Sequence, residues 1–311
     1  MATLSGTELI TVQNDRDFES NSVGDWSNYS GGVCSVNSAT PIDGSYSLLV
    51  TVTGSGGARL SMAGMTGAAW YRISCKAKVV SGLPTIKLDD IGAGNTNSAT
   101  AIAMRGSGCY TAGDNRWYLV DFGSPFVASF DTFSVQSIVQ SSMFSQMRNS
   151  GSSVVAEASV ATTLDAALAS LSAMAPLGVV ICANDITTPT KYILGTFRYN
   201  SGGSRRATIY AVNGTSVTVY EAGTAAYVSG GIVKLTKDGS DSVKLYYDGN
   251  LLVTQTIAGY ADTNHGLFNT DNGNTLGAYT LPAAAPTGKT VNGVICNAVN
   301  GVGFSAMNGV S

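Results

Sequence analysis

The sequence predicts an all-β chain of two tandem β-sandwich domains followed by a short β-prone C-terminal tail. Short runs of alternating apolar residues are separated by turn-forming residues, and 37 of the 311 residues are glycine, a pattern typical of antiparallel sheets. A polar, turn-prone stretch at Gln146–Ser153 separates two strand-rich halves. We therefore place the domains at residues 1–148 and 149–284 and the tail at residues 285–311, and we expect each half to fold on its own.

The first half contains clear strand patterns. Ser45–Val52 and Ile73–Val79 alternate apolar with polar residues, which predicts strands with one buried face. Trp26 and Trp117 supply the large apolar area that a sandwich core needs. The stretch Gly92–Arg116 is rich in Gly, Asn, Ser and Thr, and we interpret it as a long loop between strands.

The second half contains the best hairpins and one helical pattern. One hairpin joins Thr208–Val212 to Ser216–Tyr220 through Asn213-Gly214, and another joins Val243–Tyr247 to Leu251–Ile257 through Asp248-Gly249. Leucines at helical spacing between Leu164 and Ala175, with Pro176 after them, predict one short helix.

Composition excludes several classes of protein. Seventeen basic and 20 acidic residues give a net charge of −3, and no basic run is longer than Arg205-Arg206, so nucleic acid is not an expected partner. No apolar run approaches the roughly 18 residues of a membrane span, so membrane insertion is not expected. The amino terminus lacks a basic region followed by an apolar stretch, and we expect no ordinary secretion.

Catalytic chemistry is not expected. The cysteines are scattered singly, at Cys34, Cys75, Cys109, Cys182 and Cys296, which argues against a disulfide framework or a zinc site. His265 is the single histidine and has no accompanying nucleophile motif. The adjacent carboxylates Asp89 and Asp90 would point to opposite faces of a strand and cannot flank one glycosidic bond. We predict no enzyme, no metal site and no cofactor.

Aromatic residues are the candidates for sugar binding, because an exposed ring stacks on the apolar face of a pyranose. Tyr29, Trp70 and Tyr246 are the residues we select. Tyr246 alternates out of phase with Val243 and Leu245, which places it on the face opposite the core. Trp70 stands just before a predicted strand, where we expect it to be exposed.

The first half resembles the jelly-roll carbohydrate-binding modules. The resemblance rests on one ordered set of motifs: Phe18-Glu19, Asp25-Trp26, Gly44–Val50, Ala58–Ser61 and Tyr71–Lys78, with a weaker match at Arg116–Val120. It implies a β-sandwich. Members of that family often hold a structural calcium between the early Glu and a late Asp, but the corresponding stretch at Ser134–Met147 has no acidic residue, which puts a calcium at Glu19 in doubt.

The second half is similar to concanavalin-A-like and laminin-G-like sandwiches. The matching segments are Val154–Val160, Tyr192–Gly195, Val243–Thr254 and His265–Phe268. The resemblance implies architecture rather than a ligand, and it implies a packing role for the histidine. Lectins of this shape place Asp and Asn on loops around calcium. The short polar residues Asp262, Asn264, Asp271, Asn272 and Asn274 offer such groups, but we interpret them as turn formers.

The tail carries a repeat at eight-residue spacing. Its members are Val291, Asn292, Gly293 and Val294, then Val299, Asn300, Gly301 and Val302, then Met307, Asn308, Gly309 and Val310. Asn-Gly favours two-residue hairpin turns, so the segments Val294–Val299 and Val302–Met307 are predicted strands. Strands this few and short need a partner surface. The repeat resembles the Asn-Gly-Val tails that end many bacteriophage virion proteins.

Taken with that resemblance, the sequence leads us to expect a non-enzymatic phage virion protein, made and assembled in the bacterial cytoplasm. The expected role is a capsid decoration protein whose tail binds other virion proteins, or other copies of this chain, while the sandwiches project. The alternatives are a tail-fibre or receptor-binding component and a stand-alone protein that binds cell-surface glycans.

Overall fold

The computed structural model describes residues 2–89, 91–150, 155–160, 174–199, 205–228, 230–281, 290–291 and 294–295. Nearly all regular structure in these ranges is β-strand, and the helices α1 (Asn14–Asp17) and α2 (Gln140–Met143) are single turns. Two β-sandwiches follow one another along the chain, which confirms the predicted fold class. No helix within the described ranges is long and apolar enough to cross a membrane.

The first sandwich packs a six-stranded sheet on a five-stranded sheet. Sheet A contains β1 (Leu4–Glu8), β3 (Gly32–Asn37), β4 (Ser47–Val52), β6 (Trp70–Ser81), β9 (Ile102–Cys109) and β11 (Phe126–Ile138). Sheet B contains β2 (Ser27–Tyr29), β5 (Gly56–Ser61), β7 (Thr85–Leu88), β8 (Ile91–Asn95) and β10 (Arg116–Asp121). Sheet A runs β3-β4-β11-β6-β9, with β1 also paired to β11, and sheet B runs β2-β5-β10-β7-β8.

Aromatic rings fill the centre of the first core. Phe133 lies between Phe18, Trp26 and Trp117, with ring centroids 6.0, 4.7 and 5.3 Å away. All four side chains are buried. The prediction that the two tryptophans build this core is confirmed, and such edge and tilted contacts add to the apolar burial.

The second sandwich has the same division into six and five strands. Sheet C contains β12 (Phe144–Asn149), β14 (Leu177–Ala183), β15 (Lys191–Tyr199), β16 (Arg205–Asn213), β17 (Ser216–Ala225) and β21 (Asn264–Asn269). Sheet D contains β13 (Val155–Val160), β18 (Ile232–Lys237), β19 (Ser242–Tyr247), β20 (Asn250–Thr256) and β22 (Leu276–Thr280). Sheet C runs β12-β21-β14-β15-β16-β17, and sheet D runs β20-β19-β18-β13-β22.

Both predicted hairpins of the second half are confirmed. Strands β16 and β17 pair up to Asn213 opposite Ser216. Strands β19 and β20 are joined through Asp248 and Gly249, whose φ values are 48° and 78°. Two successive residues with positive φ match the twist of the flanking strands, as the Asp-Gly sequence predicts.

The structure moves the domain boundary. The predicted boundary at residue 148 falls inside β12, which pairs with β21 and belongs to the second sandwich. The chain passes from one sandwich to the other between the end of β11 and the start of β12, at Val139–Met143. The polar residues from Gln146 onward resemble a linker in sequence, but those within β12 belong to an edge strand whose outer residues face solvent.

The stretch Gly92–Arg116 is not a long loop, and this prediction was wrong. It contains β8, at the edge of sheet B, and β9, which pairs with β6 from Ile102 to Cys109. The glycines have a packing reason, since a Cβ at position 106 would overlap the carbonyl oxygen of Gly92. Glycine here allows two edge strands to approach closely, rather than marking a loop.

Two sequence predictions lie wholly or mostly outside the described residues. The helix predicted between Leu164 and Ala175 falls on residues 161–173, apart from its end. In the tail, β23 (Thr290–Val291) pairs antiparallel with β24 (Val294–Ile295), with Val291 opposite Val294. The remaining tail residues that we selected lie outside the described ranges.

Candidate functional site

The outer face of sheet C changes character along its length. In β15 and β16 the residues facing away from sheet D alternate with core residues, as the period of two requires. At one end this face is apolar and consists of Tyr192, Leu194, Tyr210 and Val212. At the other end the same face carries Arg198 and Arg206, which are opposite each other in the two strands.

The apolar end packs against the first sandwich. Trp70, at the start of β6, is 2% exposed and lies 5.3 Å from Tyr210 and 4.6 Å from Phe268 between ring centroids. The expectation that Trp70 is exposed was therefore wrong, and a buried ring offers no face to a sugar. Its position at the outer side of sheet A leaves it out of the first core, and the second sandwich covers it.

Polar contacts extend this junction. Asp271 is 3% exposed, and its carboxylate accepts a hydrogen bond of 2.9 Å from Arg105 and lies 3.6 Å from Arg72. Thr270 also receives hydrogen bonds from Arg72 and from Ser107. Asp271 also accepts a hydrogen bond from the backbone N–H of Gly273, as expected of a turn former. Its contacts with the two arginines are an additional role that the sequence did not predict. Its arginine partners lie more than 160 residues earlier in the chain, and no local sequence pattern indicates them.

Beside the junction, the two sandwiches leave a cleft of about 500 Å³. We call it the inter-sandwich cleft. Its lining from the first sandwich is Thr85, Ile86, Lys87, Asp89, Gly92, Gly108, Cys109 and Thr111, and its lining from the second part of the chain is Met174, Arg198, Arg206, Tyr210, Val219 and Glu221. Sequence reasoning missed this site because its residues come from six strands and the segments beside them.

One wall of the cleft is charged. Glu221 on β17 accepts a hydrogen bond of 2.7 Å from Arg198 with one oxygen and binds Arg206 with the other. The Arg198 side chain is 11% exposed and the Arg206 side chain is 41% exposed. Three neighbouring strands of sheet C thus present two guanidinium groups that share a single carboxylate.

The opposite wall combines a cation with hydrogen-bonding groups. Lys87 on β7 places its ammonium 5.5 Å from the ring centroid of Tyr118. Asp89 accepts the backbone N–H of Asp114 at 3.2 Å and lies 3.5 Å from the hydroxyl of Thr111. Side chains from both walls can therefore hydrogen-bond to a molecule held between them.

The other two aromatic candidates do not line this cleft. Tyr29 is half-buried, with its ring 5.2 Å from Tyr118 and the guanidinium of Arg59 above it. Tyr246 is half-buried on the outer face of sheet D, and the predicted alternation with the buried Leu245 is confirmed. The structure does not bring Tyr29, Trp70 and Tyr246 together into one site.

Each sandwich buries one notable titratable group. His265 is 1% exposed and packs edge-on against Tyr279. Burial, with a smaller contribution from Arg148, lowers the pKa of His265. In the first sandwich, burial raises the pKa of Asp131 to about 6, and the nearby carboxylates Asp43 and Glu19 contribute in the same direction.

Asp131 precedes Ser134–Met147, the stretch that corresponds to the position of the late Asp in the carbohydrate-binding modules. Both carboxylates accept backbone hydrogen bonds: Glu19 accepts from Ser45 and Tyr46, and Asp131 accepts from Asp43 and from Thr132. No group of three His, Cys, Asp or Glu residues in the described part of the chain is arranged to hold a metal ion.

Comparison with known proteins gives structural likenesses at low sequence identity. A scan of protein-family models gives no match, and a search of curated proteins gives none. The CBM22-1 xylan-binding domain of Paenibacillus barcinonensis Xyn10C is 19% identical over 44% of this chain and 97% of its own, with a TM-score of 0.36. The CBM22-1-CBM22-2 tandem of the same protein is 11% identical over 86% of this chain and 97% of its own, with a TM-score of 0.37.

A third likeness involves the carbohydrate-binding module CBM66 from Bacillus subtilis. It is 9% identical over 78% of this chain and 94% of its own, with a TM-score of 0.23. All three TM-scores are low, and what those proteins bind says nothing about this chain.

Proposed function

We propose that this chain is a non-catalytic saccharide-binding protein that holds its ligand in the inter-sandwich cleft. The observation that carries the proposal is the cleft itself, about 500 Å³ in volume and lined from both sandwiches by Arg, Lys, Asp, Glu and Thr side chains. A volume of this size suits a small ligand, and converging polar groups fix its orientation. Sugars, with a hydroxyl on most carbons, match such a lining.

Two carboxylates line the cleft from opposite walls, which is also what a glycosidase requires. Both are occupied in holding the walls: Glu221 binds two arginines, and Asp89 accepts hydrogen bonds from the loop that contains Asp114. His265, the single histidine, is buried in the second sandwich and does not line the cleft. These contacts favour binding over catalysis.

A saccharide panel tests the proposal with the full chain, followed by calorimetry on each positive sugar. The substitution Thr111→Trp adds a large ring at the wall of the cleft and should abolish binding, because it fills the space that the sugar needs. Thr187→Trp, on an exposed loop outside the cleft, is the matched control and should bind normally. Binding that is lost equally in both variants, or kept in both, would place the site elsewhere.

A second proposal concerns the tail, which we propose anchors the chain to other virion proteins. It is supported by the pairing of Val291 with Val294, the hairpin that the first Asn-Gly of the repeat predicts. A short hairpin has unpaired edges that can add to a partner's sheet or to another copy. The chain would then be a capsid decoration protein, or a tail-fibre or receptor-binding component that carries a glycan site.

Deletion of residues 291–311 should abolish incorporation into particles and leave both sandwiches folded. Replacing Val294, Val302 and Val310 with Asp should weaken attachment as much as the deletion does, because the even spacing keeps the three residues equivalent. Incorporation is measured by protein stoichiometry in purified particles. Full occupancy of the truncated chain would exclude the tail as the anchor.

A further inference from the structure

We propose that the inter-sandwich cleft selects an acidic saccharide and that Arg198, Arg206 and Lys87 bind its carboxylate. This inference rests on the proposed saccharide binding and names the class of sugar. The charged lining residues are three cations, Lys87, Arg198 and Arg206, and two anions, Asp89 and Glu221. The cleft therefore has an excess of one positive charge, whereas the whole chain has a net charge of −3.

The arginine wall keeps hydrogen-bond donors available. A guanidinium has five N–H groups, and Glu221 engages one nitrogen of each arginine. The buried Nε of Arg198 has no hydrogen-bond partner among the described residues. Arg206 lines the cleft with 41% of its side chain exposed, so its remaining N–H groups can reach a ligand. Planar guanidinium groups bind carboxylates bidentately, which favours an acid over a neutral hydroxyl group.

The facing cation is also available. Lys87 makes no ion pair with any described residue, and its ammonium rests near the Tyr118 ring instead. A cation–π contact at a partly exposed site is weak, so Lys87 can turn to an anion in the cleft. A carboxylate between the walls would balance the excess charge.

The lining offers little for the usual stacking of sugars on aromatic rings. Tyr210 is the aromatic residue among the described lining residues, and it is 5% exposed because it packs on Trp70. Recognition in this cleft therefore depends on charge and hydrogen bonds. Such a site loses most of its affinity when the ligand lacks the charged group, since the buried donors are then left unpaired.

The test is a panel that pairs each acidic sugar with a neutral counterpart: galacturonic acid oligomers with their methyl esters, and sialyllactose with lactose. We expect the full chain to bind an acidic member at least tenfold more tightly than its counterpart, and we expect added salt to weaken that binding. Arg206→Gln should lower the affinity for the acidic member about tenfold, since it removes a charge-assisted hydrogen bond. Lys87→Gln should have a similar effect.

Lys76→Gln is the matched control. Lys76 is 42% exposed and also makes one ion pair, with Asp43, but it does not line the cleft, and its loss should leave affinity unchanged. Equal binding of acidic and neutral members would overturn this inference and leave the proposed saccharide binding intact. Acidic binding that survives both cleft substitutions would also overturn it. A panel with no binding at all would remove the proposed function and this inference with it.

Discussion

The junction around Trp70 and the inter-sandwich cleft are formed by the same two sandwiches, yet they differ in almost every property. The centre of the junction is apolar, with Trp70 in contact with Tyr210 and Phe268. The cleft beside it is polar and open, with Arg198 and Arg206 on its wall. Tyr210 of the junction and Arg198 and Arg206 of the cleft lie on the same face of β15 and β16, so one sheet face serves two purposes. The apolar end fixes the spacing of the walls, and the polar end is left for a ligand.

The largest expected effect comes from breaking the junction with Trp70→Ala. Removing a buried Trp should cost about 3–5 kcal/mol of unfolding free energy, through lost contacts and the cavity left behind. Urea unfolding followed by circular dichroism measures this loss. The half-buried Tyr246, replaced by Ala, is the control on an outer face away from the junction and should cost much less.

The same variant tests whether the halves fold independently, as the sequence led us to expect. The chain has three tryptophans, of which Trp26 and Trp117 lie in the first core and none lies in the second sandwich. Fluorescence therefore follows the first sandwich, whereas circular dichroism follows both. We expect the two transitions to coincide in the parent chain and to separate in Trp70→Ala. Separate transitions in the parent chain would mean that the junction does not couple the halves.

A smaller effect is expected from the polar part of the junction. Asp271→Asn removes the carboxylate that Arg105 and Arg72 share, and it leaves two guanidinium groups without their anion. Because Arg105 is 32% exposed and partly screened by solvent, the loss should be about 1–2 kcal/mol rather than the full cost of a buried pair. Asp43→Asn, at a pair whose side chains are both 42% exposed, should cost less than about 1 kcal/mol. Equal losses would show that the burial of Asp271 is unimportant.

Local patterns were enough to predict the sandwiches but not the cleft. Alternation along β19 and the Asp248-Gly249 turn follow from the sequence alone, because strand period and turn geometry are local properties. Trp70 was predicted to be exposed because its neighbours could not show that Tyr210 and Phe268, far along the chain, would cover it. The charged wall was missed for the same reason, since Arg198 and Glu221 meet only after three strands have paired.

Each sandwich also has its own pH response, and His265 provides that of the second. Burial holds the folded-state pKa of His265 below its ordinary value, so its contribution to stability is present above about pH 6.5 and is lost as the pH falls through the folded-state pKa. His265→Phe keeps a ring against Tyr279 without the titration. We therefore expect the Tm of the variant, relative to the parent, to improve as the pH falls from 8 to 5. A constant difference in Tm over this range would contradict the buried, neutral imidazole.

Asp131 should respond to pH in the opposite sense to His265, because its pKa is raised rather than lowered. Its folded-state pKa of about 6 exceeds the ordinary 3.8, so its contribution is fully present below about pH 3.8 and is lost as the pH rises through 6. The upper limit of that loss is about 3 kcal/mol, reduced by any relaxation around the carboxylate. The stability of Asp131→Asn relative to the parent chain should therefore rise as the pH increases from 4 to 7. The relative stability of His265→Phe should instead rise as the pH falls.

The two substitutions together give a further test of the junction. His265 belongs to the sandwich without tryptophan, so its substitution can shift the fluorescence transition of the first sandwich only if the halves unfold together. We expect His265→Phe to shift the fluorescence transition when Trp70 is present. We expect no such shift when Trp70→Ala is also introduced. Asp131→Asn, which lies in the first sandwich itself, should shift the fluorescence transition in both backgrounds. A His265→Phe shift that persists without Trp70 would assign the coupling to Asp271 and its arginine partners.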